Sequence, residues 1–154
     1  MEEDFKRILV VSRITNYCRR AVHHGISLAR KYNAELTVLH IIHNPFGYEG
    51  FNVPMFSLEK DYEELIKNVK VELDRIIKEE KGKGLPVREL IREGDPAKEI
   101  LKVVKEENID LLVASHHEET RLEHFLFCQS NEELIRKMPC SIVLVKNVLP
   151  MAIW

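Results

Sequence analysis

The sequence predicts a doubly wound α/β domain, a five-stranded parallel sheet flanked by helices in the Rossmann-like manner, and three observations predict it. Five short apolar, β-branched runs alternate with four stretches whose apolar residues recur at helical spacing. The helices between runs have about ten or more residues in most cases, the length a right-handed crossover needs to join parallel strands and cover both faces of the sheet. The 154 residues, 45% hydrophobic and 31% charged, suit one core of this kind and leave no room for a second full domain.

The elements follow in order. Arg7-Ile-Leu-Val-Val-Ser12 is apolar throughout and reads as a strand buried on both faces. Thr15 or Asn16 can cap a helix in which Ala21, Val22, Ile26, Leu28 and Ala29 share one face, and Asn33 can close it. A second β-rich run spans 35–43, after which Asn44-Pro45, Gly47 and Gly50 mark a loop through residue 57. Ser57 is placed to cap a long helix reaching about Glu80, with Leu58, Tyr62, Leu65, Ile66, Val69, Leu73, Ile76 and Ile77 as its stripe. Lys81-Gly-Lys-Gly84 stops it. The run 87–92 carries charges at Arg88, Glu89 and Arg92, as suits a strand near the sheet edge. Gly94-Asp95-Pro96 then starts a helix in the most favourable way, with Asp at the cap and Pro at the first helical position, and Asn108 ends it. A fourth strand is predicted over 109–114, a loop of about a dozen residues follows, and Ser130-Asn-Glu-Glu133 fits a capping box for a short helix to Met138. The fifth strand spans 140–146.

Composition excludes several classes of function. Lys+Arg of 23 against Asp+Glu of 25 gives a net charge of -2, without the positive field that non-specific nucleic-acid binding needs. No stretch approaches the roughly 18 apolar residues that span a bilayer, and the acidic start Met1-Glu2-Glu3-Asp4 has the wrong order for a signal peptide, so a cytosolic protein without membrane contact is expected. Cys18, Cys128 and Cys140 are too few and too widely spaced for a disulfide framework or a zinc knuckle, and reduced thiols are expected. In a sheet of this kind ligands bind outside the carboxyl ends of the strands, here near residues 12–15, His43, and 115–129.

Four segments carry a family resemblance. Arg92-Glu-Gly-Asp-Pro-Ala-Lys-Glu-Ile-Leu101 has the form of a G-D-P-x-x-x-I-L helix start and Asn108-Ile-Asp-Leu-Leu-Val113 that of a D-L-[IL]-V strand. Met138-Pro-Cys-Ser-Ile-Val-Leu-Val145 is similar to an A-P-C-P-V-L-V-V ending, and Glu35-Leu-Thr-Val-Leu-His40 is the β-rich second strand. In these motifs and their order the chain resembles the universal stress protein family. The resemblance implies a fold of the adenine nucleotide alpha hydrolase-like type over residues 1–146, with 147–154 as an apolar tail. It further implies a cytoplasmic stress-response role and a homodimer in which the final strand, 140–146, pairs with its twin while the tail reaches over the partner.

The resemblance also fixes where a nucleotide would sit. Nucleotide-binding members place Asp at the end of strand 1 and G-x-x-G followed by G-[ST] after strand 4; those positions fall here on Arg13, Ser115, Glu118, Cys128 and Gln129, and Ile41 completes the set. Side chains at glycine positions obstruct the close approach of backbone to phosphate, and Glu118 with Glu119 would set carboxylates against it. The standard ATP loop is therefore expected to be lost, no cofactor is expected, and ATP is possible but disfavoured. Arg13, Arg19, Arg20 and Arg121 could still form a small anionic pocket; in the plainer reading Arg13 pairs with Glu118 or Glu119.

Other constellations carry less. His116, His117 and His124 share a loop and His23 and His24 a helix, without a spacing that gathers three metal ligands, so no metal site is expected. The resemblance commonly places a histidine at this point of the second strand, which implies that His40 is a satisfied core residue. Cys128 beside His124 lacks an oxyanion hole or a third partner, and Ser12-Arg13-Ile14-Thr15 does not match the glycine-rich S-G-G-x-D-S loop of adenylating enzymes, so catalysis has no carrier. The expectation is a regulatory or protective protein that acts by binding and dimerisation; the alternative is an ATP- or AMP-binding sensor or weak ATPase with a remodelled loop.

Overall fold

A computed structural model describes residues 4–12, 18–42, 56–116 and 130–146. Its elements are β1 (Arg7–Ser12), α1 (Cys18–Tyr32), β2 (Glu35–Ile42), α2 (Phe56–Gly82), β3 (Val87–Glu93), α3 (Pro96–Glu106), β4 (Leu111–His116), α4 (Ser130–Lys137) and β5 (Ser141–Lys146). The five strands form one parallel sheet in the order β3-β2-β1-β4-β5. The doubly wound α/β class read from the sequence is the observed one.

Alternation along the strands divides the core into two apolar layers. Ile8, Val10, Leu36, Val38, Leu111 and Val113 meet Ala21, Val22, Ile26 and Ala29 of α1 and Leu73, Ile76 and Ile77 of α2. Leu9, Val11, Leu39, Ile41 and Leu112 meet Ile100, Val103 and Val104 of α3 and Leu134 of α4. Central β1 is therefore buried on both faces, whereas edge strand β3 has no fully buried residue and leaves Arg88, Glu89, Ile91 and Glu93 exposed. Gly25 brings α1 onto the sheet so closely that a Cβ there would lie 2.0 Å from Cγ2 of Val10.

Local chemistry sets the boundaries. Asn33 and Asn108 follow α1 and α3 with φ of 53° and 50°, a conformation asparagine tolerates at a helix end. Asp95 caps α3, its carboxylate accepting from the Lys98 amide at 3.0 Å, and Pro96 is the first helical residue. Gly94, at φ 134°, turns the chain from β3 into that cap while its amide donates to the Ile42 carbonyl.

Several predicted boundaries move. β4 starts and ends two residues later than expected, because the Asp110 carboxylate accepts from the amides of Lys6 and Arg7 and so belongs to the turn before the strand. Ser115 and His116 consequently lie in the strand. Helix α2 already includes Phe56 and Ser57, so Ser57 is not its cap, and it runs on to Gly82. Ser130 is likewise the first residue of α4, which ends at Lys137 with Met138 at φ 39°. The expected caps Thr15 and Asn16, and the loop after β2, lie outside the described residues.

Candidate functional site

The strand order reverses between β1 and β4, since the chain leaves β1 towards β2 on one side and later returns to β4 on the other. At that switch point the ladder is short. β1 and β4 pair over Ile8↔Leu111, Leu9↔Leu112 and Val10↔Val113 only. On either side pairing continues to the carboxyl ends, through Ser12↔His40 and through His116↔Lys146. The last residues of β1 and β4 thus follow different neighbours at the carboxyl ends, where sheets of this kind take their ligands; Ser12 there is fully buried, Ser115 half-buried and His116 exposed.

Of the residues assigned to a nucleotide site, Ser115 stands at this switch point, half-buried and in register with Val145. Ile41 faces the α3 and α4 layer at 1% exposure, part of the packing rather than of an open surface. Arg13, Glu118, Cys128 and Gln129 lie outside the described residues, as do Glu119, Arg121, His117 and His124. Arg19 is turned to another use, its guanidinium pairing with Glu72 of α2, while Arg20 is exposed. His23, His24 and His116 are exposed.

A profile described as the Universal stress protein family matches residues 4–146. The chain belongs to the universal stress protein family. A universal stress protein of Methanothermobacter thermautotrophicus is 30% identical over 155 residues, spanning 96% of this chain and 100% of that one. Among solved structures, MJ0577 of Methanocaldococcus jannaschii superposes with a TM-score of 0.65 at 24% identity, covering 94% of this chain and 98% of that one. A family protein of Arabidopsis thaliana with AMP bound gives a TM-score of 0.57 at 17% identity, covering 93% and 92%.

Two further features of this universal stress protein lie away from the switch point. A cavity of about 340 Å³ opens at the opposite, amino ends of β1, β2 and β3, lined by Arg7, Glu35, Thr37, Arg88 and Glu107 among others. Its cations are committed: Arg88 pairs with Glu107, and Arg7 Nε donates to the Asn108 carbonyl at 2.9 Å. The second feature is His40, which occupies the α1 and α2 face of β2 at 1% exposure. Its Nε2 lies 3.2 Å from Oε1 of Glu89 on β3, and Asp74 of α2 stands beside both. Burial of His40 agrees with the expectation, but satisfaction is only half met, because Nδ1 is buried with no hydrogen-bond partner among the described residues. Asp74 and Glu89 were not among the residues the sequence singled out. They are 34 and 49 positions from His40 on different elements, and no local spacing connects the three.

Among the described residues no helix is long and apolar enough to cross a membrane.

Proposed function

We propose that this universal stress protein is a cytoplasmic regulatory or protective protein that acts by binding and association rather than by turnover, and that it has lost the standard ATP-binding loop. The observation that carries this reading is Ser115. Where nucleotide-binding members have the first loop glycine, this chain keeps a residue with a side chain, paired in the β4–β5 ladder at the carboxyl end of β4. A phosphate needs the backbone there to approach without a Cβ. Arg13 in place of Asp, Glu118 and Cys128 in place of glycine, and Gln129 in place of the hydroxyl residue act in the same direction.

Association is supported by the far edge of the sheet. β5 is an edge strand carrying Leu144 at 39% exposure, and Ile135 and Met138 on and after α4 are 47% and 56% exposed. Pairing β5 with its twin across a two-fold axis would satisfy the free ladder groups and cover that surface, with the apolar tail 147–154 reaching over the partner. Light scattering on the full chain and on a chain ending at 146 tests this: a monomeric full chain overturns the dimer, and an unchanged dimer after truncation removes the tail from it.

A second reading, a nucleotide-binding sensor or weak ATPase, is favoured by the switch point between β1 and β4 and by the AMP bound to the Arabidopsis relative. Calorimetric titration with magnesium-ATP, AMP and cyclic nucleotides decides between the two. Absence of heat with magnesium-ATP at millimolar protein sites is expected, and tight magnesium-dependent ATP binding would overturn the primary reading.

A further inference from the structure

We propose that His40, Asp74 and Glu89 form a binding site for a zinc-class divalent cation between α2 and the β2–β3 edge of the sheet. One imidazole nitrogen and one oxygen from each carboxylate lie within 4.8 Å of one another. Three points so disposed always have a position within about 2.8 Å of all of them, against metal–ligand distances of about 2.0–2.2 Å for these atoms. Closing the remaining gap of about half an ångström or slightly more takes small rotations of Asp74 and Glu89, whose side chains are 45% and 32% exposed and able to move. The imidazole is the fixed member, locked in the core at 1% exposure.

The imidazole meets the cluster through Nε2, 3.2 Å from Oε1 of Glu89, so a cation would take the Nε2 lone pair while Nδ1 carries the proton. The charge balance points to a cation. Among the described residues the two carboxylates face one cation, the Lys70 ammonium, whose Nζ sits 3.0 and 3.2 Å from the two oxygens of Asp74. Lys70 thus already occupies the outer side of the cluster as a monovalent counter-ion on a flexible, 39% exposed side chain that a divalent ion can displace.

One imidazole and two carboxylates make a borderline donor set, suited to Zn²⁺ and to Co²⁺ as its spectroscopic substitute rather than to an all-oxygen ion such as Mg²⁺. Three protein ligands leave a fourth position for water. The bound ion would tie the edge strand to the helix above it and add to stability by linkage.

The test is titration of the full-length protein, first cleared of metal with chelator, using Zn²⁺ followed by histidine ¹H–¹⁵N spectra and Co²⁺ followed by visible absorption. The expected result is saturation at one ion per chain with a shifted His40 ring resonance, and affinity reduced roughly tenfold or more in Asp74→Asn and in Glu89→Gln. Both variants change half-exposed side chains without changing their shape, so folding is retained and far-UV dichroism checks it. Lys70→Met, which removes the competing ammonium, should bind more tightly than the native chain. The proposal is overturned if the His40 resonance stays in place while Zn²⁺ binds at the exposed histidines, or if the two carboxylate variants bind as the native chain does.

Discussion

Gly25→Ala is expected to destabilise the protein, although alanine is the better helix former. In an exposed helix interior the change would gain about 1 kcal/mol. Here the new Cβ would lie 2.0 Å from Cγ2 of Val10, where ordinary carbon contacts are about 3.5–4.0 Å, so one partner has to move by about 1.5 Å or more. Val10 has little room. It is fully buried in the centre of the sheet, in register with Val38 and Val113, both also fully buried, and its β-branched side chain has few rotamers. Lifting α1 instead would loosen Ala21, Val22, Ile26 and Ala29 together. Overpacking of this kind costs about 1–3 kcal/mol, and with so large an overlap the upper half of that range applies. Net of the helix gain, a loss of about 1–2 kcal/mol is expected. For a domain of this size that is a fall of about 3–8 °C in Tm. Urea unfolding at fixed protein concentration, with the slope held common, measures it. Val10→Ala removes the clashing methyl, so the double variant should be more stable than the sum of the two single changes by about 1 kcal/mol or more. A Gly25→Ala protein as stable as the native one, or strictly additive single changes, would refute the reasoning.

Three further outcomes are expected. Asp95→Ala removes the acceptor for the Lys98 amide and should cost about 1 kcal/mol in urea melts, with Asp95→Asn close to native. Arg30→Met takes the partner from Glu80, whose side chain is only 11% exposed, leaving Lys83 at 3.5 Å as its nearest cation; a loss of about 1–3 kcal/mol is expected, largely recovered by adding Glu80→Gln, and an unchanged single variant would show that water compensates. Burial, and after it the charge of Asp110, raise the Cys140 thiol above its ordinary pKa against an opposing backbone hydrogen bond at Leu112. Alkylation at Cys140, followed by peptide mass analysis, should therefore be slower than in the unfolded chain at pH 8–9. Because the folded value is the higher one, its contribution to stability is present below the ordinary thiol pKa and is lost as pH rises through the folded value.

The fold was legible because its signals are local and agree with one another. Arg7 to Ser12 has no polar residue in its middle, so it could only be a strand covered on both sides; Asp95 followed by Pro96 could only begin a helix. Boundaries failed where a side chain reached across the chain. Asp110 looks like part of a strand in sequence, yet its carboxylate is spent on amides more than a hundred residues away. The end of the sheet where ligands bind was legible from the doubly wound class, but the switch point between β1 and β4 was not, since the element order and the handedness of the crossovers allow more than one strand order. Gly25 was not: nothing in a helix of good periodicity distinguishes a glycine that permits close packing from one that merely weakens the helix.

His40 shows why a site assembled across elements escapes a reading by motif. On its own strand it is one polar residue in an apolar run, and the economical reading is a core histidine with its hydrogen bonds met. Glu89 and Asp74 each look like solvated charges of an edge strand and a long helix. What joins them is the place of β3 at the edge. In the ladder His40 is in register with Ile91, and Glu89, in register with Val38, reaches it diagonally; at the sheet edge such a carboxylate can face the core side while staying partly in water. Ser12 is in register with His40 across the β1–β2 ladder, so the cluster stands one strand, about 4.8 Å, from the switch point. A ligand at the switch point whose binding changed the cation affinity of His40 would have its own affinity changed by the cation by the same factor, so measuring zinc titration with and without that ligand tests whether the two places are coupled.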